Sequence, residues 1–138
     1  IILEDTHQTN IPIAKDIALN ERHYGDLQGM NKEEMKKTFG EDLVHLWRRS
    51  YDVAPPHGES LKNTCERTIP YFRDEIFPRV REGKNVIVSA HGNSLRSILM
   101  DLELLAPYEI IDVNLPTGVP YVYEFDEQMN VKKKTVLE

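Results

Sequence analysis

The sequence has a single cysteine, Cys65, in 138 residues. That excludes an intrachain disulfide and any CxxC metal pair, and it suits a reducing compartment. Long hydrophobic runs are also missing. None approaches the ~20 apolar residues a bilayer-spanning helix needs, and the opening IILEDTHQTN is not a signal peptide. Positive charge is not in excess either. A net charge of −6 and a pI near 5.4 leave no overall basic field for nucleic acid or an anionic membrane, so any anion site has to be local. The chain has no initiator methionine, which raises processing or a longer parent as expectations. What is present, 40% hydrophobic and 29% charged residues, fits a single cytoplasmic domain over 1–138.

Residues 1 to 19 show short apolar runs without a helical period, so they read as a loop with a short strand. Asn31, with Glu34 three positions on, predicts a capped helix that stops at Gly40. EDLVHLWRRS predicts a second short helix, and Pro55-Pro56 a loop. From Ser60, apolar residues recur at helical spacing as far as Gly83, with Pro70 and Pro78 expected to kink or break the helix. NVIVSA, residues 85–90, has the unalternating β-branched character of a strand covered on both faces, which predicts a parallel α/β sheet. Leu95, Ile98, Leu99 and Leu102 predict a helix directly after it, and YVYEF another strand. The tail with Lys132 to Lys134 reads as a peripheral, solvated charge run.

His91-Gly92-Asn93 stands where the expected strand would end and the next helix begin. Ligands of open α/β sheets sit beyond such strand ends, where a helix N-terminus offers free N–H groups to an anion. Gly92 permits close approach, and Asn93 can cap the helix or donate to a phosphate oxygen. A plain helix cap accounts for the stretch equally well. A second cluster, ALNERHYGDLQGMNK, gathers Glu21, Arg22, His23, Tyr24 and Lys32 where no periodicity explains so many ionisable groups. A carboxylate beside cations suits proton transfer next to a bound anion, although a surface ion-pair loop remains the alternative. Arg48 and Arg49 either complement the dipole of the helix they end or clamp a phosphate.

In order along the chain, ALNERHYGDLQG, LWRRSYDV, GESL, AHGNSLR and NLPTGVPYVYE resemble the cofactor-dependent phosphoglycerate mutases of the histidine phosphatase superfamily. The resemblance implies an α/β fold, a mostly parallel sheet flanked by helices on both faces. It implies catalytic roles for Glu21, as proton donor and acceptor, and for His91, as the histidine that contacts the transferred phosphoryl group. Arg22, Tyr24, Lys32, Arg48, Arg49, Gly92 and Asn93 match positions that bind substrate phosphate and carboxylate, and His23 lies within the same binding block.

Members of that family begin with a strand ending in an Arg-His-Gly motif whose histidine is phosphorylated, and no such triplet occurs here. The resemblance therefore implies a domain incomplete at its N-terminus. His57-Gly58 follows two prolines and is no substitute. The implied activity interconverts 3-phosphoglycerate and 2-phosphoglycerate in glycolysis and gluconeogenesis, with 2,3-bisphosphoglycerate as the priming cofactor and no metal. The implied partners are small-molecule phosphoglycerates, with homo-oligomerisation left open. Bisphosphoglycerate synthesis, phosphatase action and a non-catalytic anion-binding fragment are the alternatives.

Overall fold

The computed structural model describes residues 2–137. A one-turn helix, α1 (Ile2–Asp5), and a 3₁₀ turn at Ile17–Leu19 bracket an irregular segment in which Ile11, Ile13 and Ile17 are exposed, so the short strand expected there is not formed. Helix α2 (Lys32–Phe39) starts as its sequence predicts. Asn31 Oδ1 accepts from the Glu34 N–H, and Glu34 Oε2 accepts from the Asn31 N–H, both at 3.0 Å. Gly40, at φ +86°, closes it and opens α3 (Glu41–Arg49), whose Val44 and Trp47 pack with Leu27 in a small core.

Helix α4 (Leu61–Tyr71) begins at Ser60, which exchanges capping hydrogen bonds with Asn63. The helical path continues through a π-helical turn, Phe72–Ile76, into α5 (Phe77–Arg81). Pro78 explains the widening: it has no N–H, and its ring would collide with the carbonyl four residues back, so the turn before it lengthens. The Phe77 N–H accordingly reaches back to Phe72 O.

Helix α6 (Gly92–Glu103) packs on α4, with Leu61, Cys65, Leu99 and Ile110 as the core. Ile110 comes from a short helix, α7 (Pro107–Ile110). Several hydroxyls are buried beside this core, and each finds a carbonyl. Thr64 donates to Ser60 O at 3.1 Å, Thr68 to Ala18 O at 2.8 Å, Ser94 to Leu19 O at 2.9 Å and Ser97 to Asn93 O at 2.9 Å. Left unpaired, each would cost about 1–3 kcal/mol. Two of these bonds fasten the segment just before Glu21 to α4 and α6.

The expected parallel sheet is not found among the described residues. Their one sheet is an antiparallel pair, β1 (Tyr121–Phe125) and β2 (Val131–Val136), so the supposed peripheral tail is itself a strand. Residues 85–90, expected as a strand covered on both faces, carry no regular structure and have no ladder partner, and Ile87 is 87% exposed. An apolar run specifies what a strand would bury, but a strand exists only where another backbone supplies hydrogen bonds. Lys133 and Lys134 pair with Glu124 and Glu103 across the sheet and its neighbouring helix.

Candidate functional site

The first turn of α6 gathers the site. His91 is its N-cap residue, exposed, with its N–H donated to Ser94 Oγ at 3.1 Å. Glu21, far away in the sequence, reaches the same turn: its Oε1 accepts from the Asn93 N–H at 3.1 Å and from the Arg22 N–H at 2.7 Å. A carboxylate suits this place because the first helical N–H groups have no intrahelical partner and the dipole is positive there. A Cβ added at Gly92 would meet Glu21 Oε2 at 3.7 Å, an ordinary contact. Packing therefore does not demand glycine at 92.

Arg22 is buried, yet its Nε has no hydrogen-bond partner. Its Nη1 donates to Trp47 O, a free carbonyl in the last turn of α3, at 3.3 Å, and its guanidinium lies 5.0 Å from the centre of the Tyr24 ring. Tyr24 in turn accepts at its hydroxyl from Asn93 Nδ2 at 3.3 Å. A cavity of about 210 Å³ opens between Arg22, Tyr24, Leu27, Trp47, Arg48 and Pro55. Glu21, Arg22, Tyr24 and Asn93 are thus linked, and Arg48 shares the cavity lining with Arg22 and Tyr24.

Arg96, one turn beyond Asn93, was not singled out from sequence. It is half-buried, its Nε is also unpartnered, and Nη1 reaches Asn93 Oδ1 at 3.4 Å. Burial pushes its pKa down, and the charges of Arg22 and Arg49 push it the same way. Arg49 itself is exposed in the last turn of α3. Arg96 stands three positions after Asn93 in HGNSLR, but nothing local sets it apart from the other charged residues of α6, Asp101 and Glu103. Glu59 and Arg67 were likewise missed.

Other assignments fall outside this focus. Lys32 is exposed at the start of α2, and no contact joins it to Glu21 or Arg22. His23 uses Nδ1 to accept from the Gly25 N–H at 3.0 Å, so its ring braces its own loop. That loop is pressed against residues 55–58: a Cβ at Gly25, φ +57°, would lie 2.0 Å from Pro56 O, and one at Gly58 would lie 2.8 Å from His23 O. His57 latches the pair, its Nδ1 3.0 Å from Asp26 Oδ1. Among the described residues, no three His, Cys, Asp or Glu side chains come together as a metal-binding group, and no helix is long and apolar enough to cross a membrane.

Residues 2–136 match the model of the histidine phosphatase superfamily, branch 1. The chain belongs to that superfamily. Within the histidine phosphatase superfamily it is 55% identical over 137 residues to the 2,3-bisphosphoglycerate-dependent phosphoglycerate mutase of Afipia carboxidovorans, covering 99% of this chain and 66% of that protein. It is 57% identical over 122 residues to the protein of the same description from Chlamydia muridarum, covering 88% of this chain and 54% of that one. The chain thus spans between 54% and 66% of the length of these two curated relatives. Among solved structures, Bacillus stearothermophilus YhfR superposes with a TM-score of 0.77 at 21% identity, over 94% of this chain and 63% of that one. A mycobacterial glucosyl-3-phosphoglycerate phosphatase, in complex with inorganic phosphate, gives 0.76 at 18% identity, over 99% and 69%. At such identities the superpositions speak for the histidine phosphatase fold, an α/β architecture.

Proposed function

We propose that these residues are the acid–base and anion-binding part of a 2,3-bisphosphoglycerate-dependent phosphoglycerate mutase, a cytoplasmic glycolytic enzyme acting on small-molecule phosphoglycerates. The observation that carries this reading is the Glu21 carboxylate resting on the first turn of α6 between Arg22 and Asn93. The relatives' description and the identity to them support the choice of substrate.

The donor set fits an anion such as 2,3-bisphosphoglycerate, because two buried guanidinium Nε groups, on Arg22 and Arg96, lack partners. When bound, that cofactor supplies the phosphoryl group that primes the enzyme through a phosphohistidine. Arg22, Arg48, Arg49 and Arg96 would hold phosphate and carboxylate, the guanidinium forks matching planar or tetrahedral oxygens in pairs. Phosphoryl transfer spreads charge over equatorial oxygens, and His91 with the α6 N–H groups stands where such charge can be neutralised. Glu21 exchanges the proton of the substrate hydroxyl, held in register by its two backbone donors.

No Arg-His-Gly triplet occurs in the 138 residues, so in this reading the nucleophilic histidine and its strand come from residues outside them, and the 138 residues by themselves form an inactive part of a larger domain. The test is conversion of 3-phosphoglycerate to 2-phosphoglycerate by the full-length protein, followed by coupled enolase, with and without 2,3-bisphosphoglycerate. Interconversion that depends on priming is the expected result. Release of inorganic phosphate without interconversion would overturn the reading in favour of a phosphatase.

A further inference from the structure

One guanidinium on α4, that of Arg67, directs its donors at the backbone that carries Glu21. Its Nε and Nη2 hold Glu59 in a two-pronged pair, at 2.8 and 3.0 Å. Nη1 donates to Ala18 O at 2.8 Å, and Nη2 donates to Asn20 O and Glu21 O, each at 3.0 Å. Glu59 extends the clamp: its Oε2 accepts from the His23 N–H at 2.9 Å, and its own N–H donates to His23 O at 2.7 Å. With Ser94 holding Leu19 O, the carbonyls of residues 18 to 21 are all engaged from α4 and α6. Segment 20–24 has no ladder or helix of its own, so its position is set by this clamp.

We infer that Arg67, through Glu59 and the 18–23 backbone, is a positioning residue that sets where the Glu21 carboxylate stands against the first turn of α6. The inference rests on the mutase reading above. Arg67 touches no candidate substrate-binding side chain; its partners are Glu59 and backbone carbonyls. Its pairing holds the Glu59 carboxyl below the ordinary glutamate range, with the Arg67 hydrogen bonds as the largest cause. A lysine could not replace it, because a single ammonium with three donors cannot match a planar array of carboxylate and carbonyl oxygens. Misplacement of a catalytic group by about 1 Å costs on the order of 10²-fold in rate.

The experiment compares Arg67→Lys, Glu21→Gln and the double variant in the full-length enzyme. Arg67→Lys is expected to lower kcat about 10- to 100-fold with KM changed only a few-fold. In the Glu21→Gln background the same substitution should lower kcat little further, because the group it positions no longer transfers protons. Hydrogen exchange should show the His23 amide released while the amides of α6 keep their protection. Independent, multiplying losses in kcat, or a His23 amide protected as before, would overturn the inference. Failure of the mutase reading has a different signature: Glu21→Gln alone would leave turnover intact, whatever the exchange data at His23 show.

Discussion

The carboxylate of Glu21 accepts a hydrogen bond from the backbone N–H of Asn93 at 3.1 Å, joining residues 72 apart in the chain. The bond places a carboxylate at the positive end of a helix, beside a buried arginine with an unpaired donor.

Glu21→Gln separates proton transfer from placement. The amide oxygen can still accept from the Arg22 and Asn93 N–H groups, so the loop should keep its position. In the full-length enzyme, turnover is expected to fall on the order of 10²-fold or more with substrate affinity little changed. Steady-state kinetics check this, and turnover within a few-fold of the parent would assign Glu21 to helix capping alone.

The unpartnered Nε groups of Arg22 and Arg96 predict stabilisation by anions despite the net charge of −6. Phosphate or 3-phosphoglycerate should raise the Tm of the full-length protein, by mass action equivalent to about 2.7 kcal/mol at a hundred times Kd. Arg96→Met should remove most of that increment. Thermal unfolding with and without millimolar ligand decides it, and an Arg96→Met protein that gains as much as the parent sinks the assignment of Arg96.

Tyr123 predicts an alkaline signature. Burial raises its phenol well above the ordinary tyrosine range, and the hydroxyl hydrogen-bonds to Glu103. A group whose folded pKa is raised contributes stability that is complete below its unfolded pKa, about 10, and lost as pH rises above it. Tyr123→Phe should therefore flatten the decline in stability above pH 10. Ultraviolet titration of phenolate, with denaturant midpoints measured at several pH values, checks both points.

Ile87, 87% exposed in a segment without a ladder partner, predicts opposite responses in two settings. In the 138-residue chain, Ile87→Lys should change stability by less than about 0.5 kcal/mol and improve solubility. In a full-length protein where a neighbouring strand covers that position, the same substitution should destabilise by about 2–5 kcal/mol. The 138-residue chain should also take up no covalent phosphate from 2,3-bisphosphoglycerate. Acid-labile phosphate on His91 or His57, found by mass spectrometry, would falsify the assignment of roles.

Local chemistry made much of this chain legible without coordinates. The reciprocal cap of Asn31 and Glu34, the stop at Gly40, the long α4 path from Ser60 and the α6 helix after His91 all arise from residues within a few positions of one another. So does YVYEF as a strand, and the order of motifs was enough to indicate the superfamily. Other features depended on residues far apart in the chain. NVIVSA has the composition of a buried strand, but its hydrogen bonds must come from another backbone, and among the described residues none lies alongside. VKKKTV, read as a solvated tail, became a strand because Tyr121–Phe125 offered it a ladder. Arg67 and Arg96 carry no local mark of their roles. Only folding decided that the guanidinium of one would meet four backbone carbonyls and a carboxylate, and that the other would lie half-buried among arginines, because hydrogen bonding and desolvation depend on distances that residue order does not encode.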